Sequence, residues 1–558
     1  MLDWAPWRRG FTTAHYVTLA VAFVILLYVD RHQWFFFDEW EFLATRGLGG
    51  QSLRLFFPHN EHWSTIPILV FRGLYAIFGL RTYVPYLVVL LLLHLGTAFL
   101  LWRVMFRSGA DGWVATALTG VFLLLGAGYE NLIWAFQIGF VTSTLCGAAM
   151  LILADHDRPF GARDVAVWLV AVVGLMSSGI GITMVAVAAT VALLRRGWRA
   201  ALITLSIPAV VYLAWLAAVG HEGFVATHVT KSTILLVPDF VWRGLTATVD
   251  GATGLTGFGA VAIIGITVWL MYNHRRAQVL APAFAGAIGA VIFFVLTGLG
   301  RAAFGIDEAA SPRYIYVATA LLLPITAVIL SHVARRALVV QLAIVVLALF
   351  AAVHGLSGLN AQAGSFGAIK QRSKQQILAG AQLIASGAPT IGAHPDPQWA
   401  PDLTASDLAV MLHAGALPSI EGLTRANQLD AVLALQVDTA ATPEVTSAGA
   451  ATVSAGSGGF LRPLPDGCVQ AETYGAAHNL LLRFSGPASV QLSTAASDTV
   501  LTYLSLPPDA SQSDPRNLTF IAGTPVYLSS VVAGDTVTLY LPAVGMRVCG
   551  ANPATLNG

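Results

Sequence analysis

The run Thr65-Ile66-Pro67-Ile68-Leu69-Val70-Phe71-Arg72-Gly73-Leu74-Tyr75-Ala76-Ile77-Phe78-Gly79 decides which way every later segment of the chain faces. It is apolar but short, with Pro67 near its start and Arg72 in its middle. The basic residues arbitrate, because Lys and Arg gather in cytoplasmic loops. If the run lies in the membrane interface, Arg8-Arg9, Arg103/Arg107, Arg158/Arg163, Arg195-Arg196, Arg275-Arg276 and Arg335-Arg336 all fall on one side. If it crosses, every pair after the first flips outward. The run is therefore expected to be an interfacial helix, with the N-terminus cytoplasmic.

Composition sets the class around it. Of 558 residues, 56% are hydrophobic and 11% charged, and mean hydropathy is +0.71. Soluble domains carry roughly 25% charged residues, so the chain is expected to be a polytopic α-helical membrane protein. A net charge of +1 gives no support for nucleic acid as a partner. A span needs about 20 apolar residues, and about eleven segments qualify: 14–30, 83–106, 113–129, 134–154, 165–178, 179–194, 200–219, 257–272, 279–299, 314–331 and 337–354. The first has no small-residue cleavage site after it and is expected to be retained. The region 220–256 is expected to be a long outer loop.

After about residue 355 the chain turns rich in Ala, Gly, Ser, Thr and Pro. Three regions are expected: a transmembrane domain over 1–355 (with 31–82 its first outer loop), a mixed helical linker over 356–456, and a β-sandwich over 457–558. Short alternating strands at 480–484, 489–492, 500–504, 519–521 and 537–541 suggest the sandwich. Of three cysteines, Cys468 and Cys549 bracket that block, and an extracytoplasmic compartment favours a bridge between them.

Chemistry concentrates just upstream of the opening run. Phe35-Phe36-Phe37-Asp38-Glu39-Trp40-Glu41 is followed by Pro58-His59-Asn60-Glu61-His62-Trp63. Charge near a bilayer is costly and marks function. One Asp-Glu pair at a helix start is ordinary dipole complementation; joined to a His-Asn-Glu-His cluster in a charge-poor chain, it is expected to be functional. A carboxylate of the Asp38-Glu39 pair can act as a general base, while Glu41 is expected to be solvated. Arg301 and Arg313 fall on the outer side against the charge rule, and Arg suits phosphate through its planar fork. With His59 and His62 they are expected to bind a phosphate, with Asp307 and Glu308 neutralising them. Trp40, Asn60, Glu61, Glu130, Asn131, Gln137 and Tyr314 are expected to line a substrate site. Asp38, Glu39, His59 and Glu61 form an oxygen-rich set suited to Mg²⁺ or Mn²⁺. His94 and His354 are expected to be packing residues.

These residues resemble a known family. The aromatic segment ending in Asp38-Glu39-Trp40 after the first span resembles the acidic first-outer-loop motif of the GT-C superfamily of glycosyltransferases. His59-Asn60-Glu61-His62, Asn131 to Gln137, and Ser311-Pro312-Arg313-Tyr314 resemble recurrent stretches in bacterial members, and 65–80 looks like their second juxtamembrane helix. The resemblance covers residues 1–355. It implies an inverting hexosyl- or pentosyltransferase in the bacterial plasma membrane, with Asp38 as base. The partners would be a polyprenyl-phosphate-linked sugar donor, a cell-envelope glycan, lipid or protein acceptor on the outer face, and membrane lipids. Asp-Glu stands where many relatives have Asp-Asp, which leaves metal use open. The C-terminal domain looks similar to carbohydrate-binding modules of actinobacterial cell-wall transferases. The competing expectation is a lipid-linked sugar flippase without transferase activity.

Overall fold

The computed structural model describes residues 8–223, 229–445, 451–456, 459–473, 478–505, 511–531, 536–541 and 545–554. The extreme N-terminus and residues 224–228 of the predicted 220–256 loop lie outside them. The chain divides into two compact units. A helical unit comprises residues 1–33, 53–76 and 83–368; a sandwich unit comprises 34–52, 77–82 and 369–558. The first outer loop, assigned whole to the transmembrane domain from sequence, is thus shared between them.

Helices run in the order α1 (Arg8–Val29), α2 (Thr65–Phe78), α3 (Val84–Arg107), α4 (Gly112–Leu123), α5 (Glu130–Ile133), α6 (Ile138–Ala154), α7 (Ala162–Leu175) and α8 (Ile180–Arg196). Then follow α9 (Trp198–Ala218), α10 (Lys231–Thr253), α11 (Phe258–Tyr272), α12 (Ala281–Arg301), α13 (Pro312–Ala334) and α14 (Leu338–Ala385). Every segment predicted to span is helical, but length separates them. Among the described residues, seven helices are long and apolar enough to cross a membrane, or up to eight if the bent pair α10–α11 is one span. The expected eleven are reduced because α4, α7 and α8 have 12, 14 and 17 residues. The helix α2 has 14 residues. At about 1.5 Å per residue it reaches about 21 Å, short of a hydrocarbon core of about 30 Å.

The expected 220–256 loop is corrected by α10. Its Asp239, Arg243 and Asp250 lower the hydropathy, yet one face buries Val237, Phe240, Leu245 and Ala247. A bend of 111° separates it from α11. There Asp250 accepts the N–H groups of Gly257 at 3.0 Å and Gly259 at 2.6 Å, satisfying the start of the second helix.

Small residues let backbones meet in the bundle, as membrane helix packing favours. A Cβ on Gly126 would collide with the carbonyl of Gly355, and one on Gly355 with that of Leu124. His94 is a packing residue as expected: its ring nitrogens lie 2.9 Å from the Tyr316 hydroxyl and 3.3 Å from the Leu123 carbonyl. At the bundle end carrying the basic pairs, Arg195 meets Asp155 and Arg196 meets Asp164, both at 2.6 Å, and Arg335 meets Asp111 at 2.7 Å.

In the sandwich unit, α15 (Ala405–His413) and α16 (Arg425–Leu435) precede twelve strands among the described residues. These are β1 (Val437–Ala440), β2 (Ala451–Ala455), β3 (Gly459–Pro463), β4 (Val469–Thr473), β5 (His478–Phe484), β6 (Ala488–Thr494), β7 (Asp498–Ser505), β8 (Arg516–Phe520), β9 (Val526–Ser530), β10 (Thr536–Leu541), β11 (Met546–Cys549) and β12 (Asn552–Pro553). They form two six-stranded sheets, β1-β9-β6-β11-β4-β3 and β12-β2-β5-β10-β7-β8. Alternate residues of β6 are buried, and Val453, Leu482, Phe484, Val490, Leu504 and Val548 share one core. The sandwich begins at Val437, upstream of the predicted 457, because β1 and β2 are short and polar outside their buried positions. Cys468 and Cys549 are disulfide-bonded, joining the paired strands β4 and β11.

Candidate active site

In the helical unit, the predicted His-Asn-Glu-His cluster is a tight turn. The His59 N–H donates to the His62 carbonyl at 3.0 Å, and the His62 N–H to the His59 carbonyl at 2.9 Å. Asn60 takes φ +50°, a left-handed conformation that Asn tolerates better than most residues. Trp63 pins the end of the turn, stacked on Trp215 with centroids 5.0 Å apart and planes within 1°. Gly223 backs onto it, since a Cβ there would collide with the Asn60 carbonyl.

Two arginines meet this turn and its neighbours. Arg301, at the end of α12, pairs with Glu61. Arg313, in the first turn of α13, donates to Glu308 at 3.0 Å, and its carbonyl accepts from Asn131 Nδ2 at 3.1 Å. The expected neutralisation is therefore redistributed. Glu308 serves Arg313, Glu61 serves Arg301, and Asp307 pairs with Arg243 of α10 at 2.9 Å. Tyr314 is buried, with its ring edge-on to Phe293 at 5.9 Å. His59 lies edge-on to Phe136 at 5.2 Å and His62 to Phe140 at 6.0 Å. Gly179, between α7 and α8, lets His62 approach: an added Cβ would stand 2.8 Å from its Nδ1.

Among the described residues, five buried polar atoms here have no hydrogen-bond partner: His62 Nδ1, Glu130 Oε2, Asn131 Oδ1, Gln137 Oε1 and Arg313 Nε. Buried polar groups are nearly always satisfied, and each orphan costs about 1–3 kcal/mol. Donors and acceptors gathered at one end of a bundle, around two guanidinium groups, suit a polar anionic ligand.

Protonation corrects one expectation. Burial pushes the His59 imidazole down to about 4, helped by the nearby His62. Burial also pushes His62 down, against the pull of Glu61. Both rings are neutral near pH 7, so they offer N–H groups or lone pairs, and the positive charge is left to the arginines. Burial raises Glu130 above the usual carboxylate range, against Arg313.

The depressed His59 value has a measurable consequence. Between about 6.5 and 4 the unfolded chain binds the proton that folded His59 refuses, so stability falls as pH falls through that window. The loss reaches at most about 3 kcal/mol at its acid end. The apparent unfolding midpoint of the purified protein should drop from pH 7.5 to 4.5, and His59→Gln should flatten that slope. An unchanged slope in the variant would remove His59 as its source.

In the sandwich unit, Phe35 to Arg46 forms a second built turn. The Phe36 N–H donates to Glu39 Oε2 at 2.8 Å, and the Trp40 N–H to the Phe37 carbonyl at 3.0 Å. Phe37 has φ +50°, a strained state for a bulky residue and one that clusters at functional sites. Its N–H donates to the Trp399 carbonyl at 2.8 Å, and the Phe36 ring stacks on Trp399 at 5.3 Å. The Lys370 ammonium sits over Phe36 at 5.6 Å. Asp38 is half-buried on this turn, whereas Glu39 is fully buried.

Three sequence expectations change here. Glu39 clips the turn from within. Trp40 is buried against Trp34 and Phe35, at 5.7 and 6.0 Å, and is an anchor with no surface for substrate. Glu41 is ion-paired with the buried Arg46, not solvated. The Mg²⁺ or Mn²⁺ set does not fit the donors present. Among the described residues no group of three or more His, Cys, Asp or Glu could hold a metal ion; Glu39 and Glu61 already engage the Phe36 amide and Arg301. Sequence reading missed Lys370 and Trp399, which lie far along the chain and carry no local motif.

No protein-family model and no curated protein matches the chain. Among solved structures, ArnT from Cupriavidus metallidurans, bound to undecaprenyl phosphate, is similar with a TM-score of 0.45 and 15% identity, over 71% of this chain and 84% of that one.

Proposed function

We propose that the chain is an inverting membrane glycosyltransferase of the GT-C type, moving a hexosyl or pentosyl group from a polyprenyl-phosphate donor to a cell-envelope glycan, lipid or protein on the outer face. The observation that carries this is the group of orphaned buried polar atoms around Arg301 and Arg313 at one end of an apolar helix bundle. The orphaned oxygens of Glu130, Asn131 and Gln137 suit the hydroxyls of a sugar, and a lipid phosphate would compete with Glu61 and Glu308 for the two guanidinium groups. Arg301 and Arg313 bind its phosphate and hold it as it leaves. His59 and His62 supply neutral donors and acceptors to phosphate and sugar, Asn131, Gln137 and Glu130 add further polar groups, and Asn60 and Tyr314 shape the site.

Asp38 is the base. It takes the proton of the acceptor hydroxyl, whose oxygen attacks the anomeric carbon while the bond to the phosphate oxygen breaks. Glu39 is a positioning residue. The reaction needs no metal ion in this reading, and the sandwich faces the envelope.

The test is turnover by purified protein in nanodiscs with a panel of polyprenyl-phosphate sugars and envelope acceptor fragments. Transfer with inverted anomeric configuration, unaffected by EDTA, is expected. Movement of an intact donor across the bilayer without release of polyprenyl phosphate would instead establish a flippase.

A further inference from the structure

The sandwich unit contains a cleft of about 770 Å³ that the assignment above does not use. Its walls come from α14, the loop after it, α16 and the start of edge strand β8. Its size lies within the roughly 300–1,000 Å³ of small-ligand sites.

Its lining is dense in polar groups and close to charge balance. Arg372 pairs with Asp514, and Arg516 donates to the Leu433 carbonyl at 3.3 Å. Asp430 accepts the Asp514 N–H at 2.6 Å. Asp396 Oδ1 accepts the N–H groups of Gln398 and Trp399 at 3.2 and 3.1 Å. The Ser373 hydroxyl bonds the same carboxyl group, and both residues are 1% exposed. Gln398 and Asn517 are exposed at the cleft, their amides each carrying a donor and an acceptor. Trp399 adds a half-buried ring.

Three carboxylates against two guanidinium groups favour neither a phosphate nor a polycation. Interleaved donors and acceptors beside an aromatic ring match hydroxyl groups, each of which donates and accepts, on a body with apolar C–H faces. Trp399 also joins this cleft to the Asp38 turn, because its carbonyl holds the Phe37 N–H.

We propose that the cleft between α14, α16 and β8 binds a neutral oligosaccharide and is the subsite that holds the acceptor glycan. The acceptor role rests on the transferase reading; saccharide binding does not. Burial holds Asp430 up at about 6 and raises Asp396, so both carboxyls are protonated more readily than exposed ones and gain from hydroxyl partners.

The test is calorimetric titration of the full-length protein in nanodiscs with neutral mannan-, arabinan- and glucan-derived tetrasaccharides, and with a hexuronic-acid and a glucosamine tetrasaccharide as charged controls. Binding of at least one neutral probe is expected, weakened at least tenfold in Gln398→Ala and Asn517→Ala and retained in Asp38→Asn. Both cleft residues are exposed, so their loss should leave the fold intact, which the unfolding midpoint checks. In the transfer assay the same variants should raise acceptor KM with kcat preserved, the signature of uniform binding. No binding of any neutral probe, binding unchanged in both variants, or preference for a charged control would overturn the proposal. Neutral-probe binding lost in both variants, in a protein that transfers no sugar, would keep the cleft as a saccharide site and remove the acceptor role with the transferase reading.

Discussion

Asp38→Asn is expected to lower sugar transfer by roughly 10²–10⁴-fold, the range over which a positioned general base contributes. The substitution keeps size and shape but cannot take a proton from the acceptor hydroxyl. Its specificity comes from the neighbour. Glu39 is buried and spends Oε2 on the Phe36 N–H at 2.8 Å, a bond the amide oxygen of Gln can also accept. Glu39→Gln should therefore retain most activity, whereas Glu39→Ala should loosen the turn and lower kcat with a drop in unfolding midpoint. Initial rates and midpoints of the three variants, measured together, separate a base from a clip. Full turnover in Asp38→Asn would defeat the assignment, and equal losses in Asp38→Asn and Glu39→Gln would return Glu39 to the chemistry.

Arg313→Ala is expected to lower kcat/KM for the polyprenyl-phosphate donor on the order of 10²–10³-fold, as does loss of one oxyanion donor in other enzymes. The Arg313 side chain bonds Glu308 and Tyr314 and leaves Nε buried without a partner among the described residues, while its backbone carbonyl, unaffected by the substitution, keeps Asn131 in place. Lys restores charge but not the planar fork, so Arg313→Lys should recover part of the loss. Glu308→Gln tests the partner: if Glu308 only balances Arg313, donor KM should change severalfold at most. A donor KM indifferent to Arg313→Ala would place the phosphate elsewhere.

Much of this protein is legible along the chain because its signals are local. Hydropathy over windows of about 20 residues located every predicted span as a helix, since a bilayer imposes that length on backbone that must satisfy its own hydrogen bonds. Period-two alternation located strands β5 to β8 and β10 for the same kind of reason. The acid and histidine turns stood out because charge is scarce here. Helix α10 was lost because its charged residues dilute the average, while its apolar face becomes clear from what packs against it.

Local signals along the chain thus carry the class: apolar helices of membrane-crossing length, a short apolar helix at Thr65–Phe78, a β-rich C-terminal region, and two polar turns after the first span. The tertiary structure alone decided the partners. Glu61 meets Arg301 across 240 positions, Phe37 is held by Trp399, and Trp40 faces inward. Residues 34–52 join the sandwich unit while 53–76 join the helical unit. Hydrogen bonds and ion pairs act over a few ångströms of space whatever the separation along the chain. Their choice of partner therefore exists only once packing has brought distant segments together.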